Sequence, residues 1–229
     1  MTRLTLYTRS GGCSIVPHAL MHHLSIDFNN NPDVDPPNDV MDMSLPTAAI
    51  NSELSRRLRE QILQCPPLLC VGMYDLTEMP AILTYLAVRG GAEGELLGRN
   101  KTEKAVVMQW LSWLEAKVYS KAFRMLGAPE TFSEQAASHQ GICDAARSIL
   151  HHAFQKINRN LVGMNHTVGG RFTVVDLNLY MFARWYKELW PNMNFDTRFP
   201  EWYRVMKEVE ALDGVVRAVN EQGIRLLFQ

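Results

Sequence analysis

The sequence has no excess of charge of one sign, because its 23 lysine and arginine residues are matched by 24 aspartate and glutamate residues. The basic residues are scattered, so the clustered positive charge that binds a nucleic-acid backbone is missing. No apolar run is long enough to cross a bilayer, and the first residues lack the pattern of a secretory signal. We therefore expect a cytoplasmic protein that binds neither nucleic acid nor membrane.

Cysteine is also scarce. The four cysteines are Cys13, Cys65, Cys70 and Cys143, and no two of them form a C-x-x-C pair. This spacing argues against a thioredoxin-type dithiol and against a zinc site built on paired cysteines. The adjacent histidine pairs at 22–23 and 151–152 point to different sides of a helix. The sequence therefore predicts no metal site.

Short strands and helices alternate in the N-terminal part of the chain. Alternating apolar residues at 3–8 predict a strand, and Gly11 and Gly12 end it. The helical spacing that follows predicts a helix with Ser14 as its N-cap. Further strands are expected at 26–28, 68–71 and 74–76, helices at 51–64 and 80–88, and a surface loop over 29–48. This alternation is typical of a small α/β layer.

The rest of the chain has helical periodicity. Helices are expected at 102–126, 133–161, 173–189, 199–207 and 212–220. Thr173 and Asp176 have the spacing of a capping box at the start of one of them. We therefore divide the chain into an α/β domain at 1–90, a linker at 91–100 and an all-helical domain at 101–229.

A tyrosine, a cysteine and a serine stand within eight residues at the turn after the first strand, namely Tyr7, Cys13 and Ser14. A helix N-terminus favours negative charge, so it lowers the pKa of a nearby thiol or stabilises a bound thiolate. The alternative is that Cys13 is a small buried packing residue, as free cysteines often are.

A second candidate ligand site follows the expected helix at 51–64. A cis peptide bond at Cys65-Pro66 would leave the backbone groups of Cys65 for an extended ligand, whereas a bond between two prolines would offer no N–H. An ordinary trans Pro-Pro that ends a helix is the alternative. Glu78 precedes the next helix, where its carboxylate either complements the helix dipole or binds a ligand ammonium group.

Four segments, in order along most of the chain, resemble the glutathione S-transferase superfamily. They are YTRSGGCSIVPHALMHHL (7–24), QCPPLLCVGMYDLTEMPAILTYLA (64–87), WLSWLEAKVYSKAF (110–123) and GGRFTVVDLNLYMFARW (169–185). The first segment is similar to the opening strand, catalytic loop and first helix, with Cys13, Ser14 and His18 in the pattern of the beta class. The others are similar to the cis-proline strand with its hairpin, the first helix of the helical domain, and the capping box before the core helix.

The resemblance implies a thioredoxin-like N-terminal domain, an all-α C-terminal domain and a homodimer that uses glutathione. Cys65 and Pro66 would pair with its cysteinyl part, and Glu78 and Met79 would hold its γ-glutamyl end. The helical domain would supply the electrophile site, with candidates Trp110, Trp113, Tyr119, Phe123 and Tyr180. These aromatic residues are otherwise read as core.

The resemblance also leaves the thiol activator and the reaction open. We rank Cys13 and Ser14 together ahead of Tyr7. The expected activity, in detoxification or secondary metabolism, is conjugation or a reversible addition that isomerises a double bond. Met79 replaces the usual serine and Tyr119 replaces a beta-class histidine, so the alternative is a non-catalytic binding or scaffold protein of the same fold.

Overall fold

A four-stranded mixed sheet forms the N-terminal part of the protein. In the computed structural model, which describes residues 4–31 and 67–229, its strands are β1 (Leu4–Tyr7), β2 (Asn29–Asn31), β3 (Leu68–Val71) and β4 (Tyr74–Leu76). The strand order is β2-β1-β3-β4, with β1 parallel to β2 and antiparallel to β3. The sheet therefore combines a parallel crossover unit with an antiparallel hairpin, as a thioredoxin-like domain does.

Two helices accompany this sheet, α1 (Ile15–His23) and α2 (Met79–Arg89). The residues of α1 from Ile15 to Met21 are all buried. Helix α2 ends where the sequence predicts, because Gly90 is its C-cap and Gly91 has a φ of 70° that glycine adopts without strain.

The remaining elements are helical. The α-helices are α3 (Glu93–Leu96), α4 (Lys101–Trp113), α5 (Arg124–Gly127), α6 (Ala136–Asn160), α7 (Val174–Leu189), α8 (Phe195–Arg198), α9 (Pro200–Glu210) and α10 (Asp213–Glu221). A π-helix, Leu114–Phe123, joins α4 to α5, and a 3₁₀ turn, Pro129–Thr131, follows α5. None of the helices in the described ranges is both long and apolar enough to span a membrane.

The chain divides into two compact units. The first contains Met1–Glu93 together with Glu210–Leu227, and the second contains Gly94–Val209. Helix α10 thus groups with the sheet, whereas the sequence-based limits placed it in the helical domain. It packs against α1 at Gly214, where a Cβ atom would lie 2.6 Å from the Ala19 carbonyl oxygen and 2.6 Å from the His23 backbone nitrogen.

The second unit contains the predicted capping box at the start of α7. The Asp176 carboxylate accepts from the Thr173 N–H at 2.8 Å, and its other oxygen accepts from the N–H and hydroxyl of Thr167. Asp176 therefore caps α7 and also holds the preceding loop. The sequence indicated the first of these roles only.

The prediction for β2 is wrong in its position. The segment at 26–28 instead carries the chain away from α1, because the Ile26 N–H bonds the Met21 carbonyl and Ser25 adopts a φ of 52°. The strand begins at Asn29, which pairs with Thr5. Asparagine has a low strand propensity, and pairing with β1 overrides it. The expected helix at 51–64 and the loop beyond residue 31 lie outside the described residues.

Candidate active site

The turn between β1 and α1 is organised by Ser14. This side chain is fully buried, and its hydroxyl accepts from the Arg9 N–H at 2.9 Å and donates to the Arg9 carbonyl at 3.1 Å. Ser14 occupies the N-cap position of α1, but it makes no side-chain cap bond. A serine hydroxyl has one proton. That proton is already donated within the turn, so Ser14 shapes the turn rather than facing a ligand.

The two other candidate activators differ in accessibility. Cys13 is half-buried and precedes the first residue of α1 by two positions. Tyr7 ends β1 and is only 8% exposed. Of the three predicted catalytic residues, Cys13 therefore combines access from solvent with a place at a helix N-terminus.

Gln222, directly after α10, anchors the outer part of the turn. Its side-chain Oε1 accepts from the Gly11 N–H at 3.2 Å, and its backbone carbonyl accepts from the Ser10 hydroxyl at 2.7 Å. The amide group of the same side chain lies 3.1 Å from Nδ1 of His18. The C-terminal helix thus holds the turn that carries Cys13.

His18, His22 and Glu221 form a polar cluster beside this anchor. Both histidine Nε2 atoms contact Oε2 of Glu221, at 2.9 Å from His18 and 3.1 Å from His22. Burial lowers the pKa of His18, although its hydrogen bond to Glu221 acts in the opposite direction. Burial opposes ionisation of Glu221, but the hydrogen bonds from the two histidines outweigh it and lower the pKa of the carboxyl. The cluster therefore holds neutral His18 against an ionised carboxylate.

Glu78 and Met79 meet at the N-terminus of α2. Glu78 is exposed and has a φ of 65°, a conformation that is strained for a residue with a side chain. Such strain is often stored at functional sites. Met79 is 4% exposed and belongs to the core. The predicted contacts at Cys65 and Pro66 lie outside the described residues.

The predicted electrophile-site residues make several aromatic contacts. Trp110 and Trp113 contact each other edge to face, and Lys156 lies over the Trp113 ring. Tyr119 and Phe123 both contact Trp185, which the sequence reading missed.

Tyr180, the fifth predicted residue, lies in the core. It is 1% exposed, and its hydroxyl accepts from Arg184 at 3.1 Å. This arrangement is that of a packing residue.

The sequence matches known proteins over most of its length. The profile of the glutathione S-transferase C-terminal domain matches residues 115–213. Glutathione S-transferase GST-4.5 of Xanthomonas campestris pv. campestris is 26% identical over 184 residues, which is 80% of this chain and 82% of that protein. A glutathione S-transferase-like protein of Aspergillus aculeatus is 30% identical over 163 residues, 69% of each chain. The chain belongs to the glutathione S-transferase superfamily.

The fold of this glutathione S-transferase superfamily member agrees with that of a solved relative. The sphingomonad glutathione S-transferase complexed with glutathione has a TM-score of 0.73 and 23% identity, covering 96% of this chain and 100% of that one. The likeness confirms the expected fold, a thioredoxin-like N-terminal part followed by a helical part.

The sequence reading missed the cluster because its members are far apart in the chain. Glu221 and Gln222 lie 203 and 204 residues after the histidine they contact. One signal was present, since His18 and His22 have the i,i+4 spacing that places two side chains on one helix face. The prediction of no metal site did not take this spacing into account.

Proposed function

We propose that this protein activates the thiol of glutathione and adds it to an electrophilic, hydrophobic small molecule. The observation that carries the proposal is the position of Cys13, a half-buried thiol just before the buried helix α1. The dipole and N–H groups of a helix N-terminus favour a thiolate. Ser14 supports this arrangement indirectly, because its proton is donated to Arg9 and its side chain holds the turn.

Glutathione itself would be oriented by the residues that the resemblance assigns to it. The exposed carboxylate of Glu78 is suited to the γ-glutamyl ammonium group, and the backbone N–H of Met79 to the γ-glutamyl carboxylate. The backbone of Cys65, before Pro66, would pair with the cysteinyl part. That a sphingomonad relative was solved with glutathione supports the choice of ligand.

The chemistry requires loss of the thiol proton before attack. The sulfur electron pair then forms a C–S bond with the electrophilic carbon, and a leaving group departs or the resulting carbanion is protonated. This outcome is conjugation. If the carbanion instead rotates and expels the thiolate, the C–S bond breaks, glutathione is recovered and a double bond is isomerised. The half-buried aromatic residues Trp110, Trp113 and Tyr119, with Phe123, are the proposed electrophile contacts.

A second candidate is a non-catalytic binding protein of the same fold. The buried Met79 supports it, because a side-chain contact to the γ-glutamyl carboxylate is lost. In both cases we propose a cytoplasmic homodimer. Light scattering of the purified protein measures the molar mass and so tests the dimer.

The deciding experiment is the absorbance of bound glutathione thiolate as a function of pH. We expect a thiolate pKa below that of free glutathione in the wild-type protein. Cys13→Ser should raise it most, whereas Tyr7→Phe should leave it nearly unchanged. Absence of bound thiolate at every pH, with no retention on immobilised glutathione, would reject the enzyme.

The amount of glutathione consumed per product distinguishes conjugation from isomerisation. With a conjugated cis-alkene as substrate, conjugation consumes one glutathione for each product. Isomerisation changes the alkene while the glutathione concentration stays constant. Product formation that needs no glutathione would contradict both.

A further inference from the structure

Three potential metal ligands converge between α1 and α10. His18 and His22 lie on one face of α1, and both Nε2 atoms reach the same oxygen of Glu221. The ligand atoms of the three residues all lie within 4.8 Å of one another. Two imidazole nitrogens and one carboxylate oxygen are a donor set that Zn²⁺ and other late first-row divalent ions accept.

We propose that His18, His22 and Glu221 bind a divalent transition-metal ion such as Zn²⁺, and that its binding releases the bond from the Gly11 N–H to the Gln222 side chain, in the turn carrying Cys13. The site differs from the proposed glutathione site and shares no residue with it. Metal binding by these three residues does not depend on glutathione chemistry.

The cluster needs little movement to take the ion. Zinc bonds of about 2.0–2.1 Å in tetrahedral geometry place ligand atoms about 3.4 Å apart. The Glu221 oxygen already lies 2.9 and 3.1 Å from the two nitrogens. The Phe28 ring contacts both imidazoles edge to face and restrains their orientation.

The three side chains of the cluster differ in how far they are exposed to solvent. The side chain of His18 is 0% exposed, that of His22 is 8% exposed and that of Glu221 is 42% exposed. The histidines are therefore held by packing, while the carboxylate side meets solvent. An ion can enter from the Glu221 side and keep a water molecule as its remaining ligand.

The hydrogen bonds determine which nitrogen of His18 carries the proton. The Gly11 N–H can only donate, so the Gln222 atom that it meets is Oε1, and the amide NH₂ faces Nδ1 of His18. Nδ1 therefore accepts. The proton of neutral His18 is on Nε2, where it is donated to Glu221.

A metal ion at Nε2 reverses this arrangement. The imidazole remains neutral, with its proton on Nδ1 after exchange through solvent. Nδ1–H then faces the Gln222 NH₂, and two donors meet. If the amide turns to accept from Nδ1, its NH₂ faces the Gly11 N–H and that bond is lost. Metal binding thus loosens the turn two residues before Cys13.

The binding test uses the full-length, tag-free protein after chelator treatment. We expect one equivalent of Zn²⁺ in competition with a chromogenic chelator. Glu221→Gln and His22→Ala should each weaken binding at least about tenfold. The control, His23→Ala, removes an exposed histidine of the same helix and should bind like wild type. Circular dichroism shows whether each variant is folded.

Cobalt distinguishes this cluster from coordination by Cys13. Co²⁺ bound by nitrogen and oxygen shows d–d absorption without a thiolate charge-transfer band. The Cys13→Ser variant should retain this d–d absorption. A thiolate band that Cys13→Ser abolishes would overturn the site. Unchanged zinc affinity in folded Glu221→Gln and His22→Ala would overturn it as well.

The coupling test measures alkylation of Cys13 by iodoacetamide, followed by peptide mass mapping. Zn²⁺ should change the rate in wild type but not in Gln222→Ala, which keeps all three ligands. An equal effect of Zn²⁺ in both proteins would overturn the coupling. No glutathione is present, so failure here is distinct from failure of the proposed function.

Discussion

Ser14 closes a hydrogen-bonded pair with the backbone of Arg9, five residues earlier, through its hydroxyl group. It accepts from the N–H at 2.9 Å and donates to the carbonyl at 3.1 Å. A cysteine and a serine adjacent in the sequence thus have different surroundings. Ser14 is buried and bonded to the turn, whereas Cys13 is half-exposed at its surface.

The first prediction concerns this pair. Ser14→Ala leaves a partly buried N–H and carbonyl of Arg9 without their partner, so the free energy of unfolding should fall by roughly 1–2 kcal/mol. Cys13→Ser should change it by less than about 0.5 kcal/mol. Chemical denaturation measures both. Equal losses in the two variants would contradict the division of roles.

The second prediction concerns the strain at Glu78. Glu78→Gly removes a side chain from a positive-φ residue, so the free energy of unfolding should rise by about 1 kcal/mol. Loss of the proposed contact to the γ-glutamyl ammonium group should also weaken glutathione binding by roughly ten- to a hundredfold. Thermal unfolding and calorimetric titration measure the two effects.

The matched variant for this position is Glu78→Gln, which keeps the strain and removes the charge. We expect its stability to equal that of wild type and its glutathione affinity to fall as in Glu78→Gly. Full affinity in Glu78→Gln would show that the carboxylate does not bind the ligand.

The third prediction concerns the contact between α1 and α10. Gly214→Ala places a methyl group 2.6 Å from backbone atoms of Ala19 and His23, which cannot rotate away. The free energy of unfolding should fall by about 1–3 kcal/mol. Gly141→Ala is the control, since Gly141 lies within α6 with no atom within 4 Å of a new Cβ. It should stabilise the protein by up to about 1 kcal/mol. Changes of the same sign would contradict the packing argument.

The fourth prediction concerns acid stability. A hydrogen bond from Arg171, together with one from the Arg99 N–H, lowers the pKa of Glu103 below the ordinary 4.5. The folded state therefore binds this proton less readily than the unfolded state. The stabilisation is complete above the ordinary pKa and is lost as the pH falls through the lower folded value.

The measurement is urea denaturation between about pH 5 and pH 3. Glu103→Gln should be less stable than wild type at pH 5, and the difference should shrink as the pH falls. Glu130→Gln, at an exposed glutamate of the 3₁₀ turn, is the control. A difference that stays constant with pH would show that the Glu103 charge does not contribute.

Elements with local signals were predictable from the sequence. Strands β3 and β4 begin and end at the predicted residues, and Gly72 between them has the φ of 62° that a tight turn favours. The capping box of Thr173 and Asp176 depends on residues three positions apart. In each case the interacting groups are near neighbours in the chain, so the identity and spacing of the residues are enough to predict the element.

Elements that depend on distant partners were not predictable. The segment Asn29–Asn31 is a strand because β1 pairs with it, although its own propensity argues otherwise. The side-chain partners of Ser14 were not predictable either. Serine at a helix start usually caps the helix, and here the chain path through Arg9 offers the hydroxyl a better pair of partners.

The sequence alone therefore determined the superfamily, the positions of β1, β3, β4 and the main helices along the chain, and the choice of Cys13 as a candidate, because these rest on local patterns of residues. Only the tertiary structure decided that Ser14 faces inward, that Gln222 holds the turn and that His18, His22 and Glu221 meet. The reason is physical. A hydrogen bond depends on positions to within tenths of an ångström, and residues some 200 positions apart acquire such positions only when α10 packs on α1.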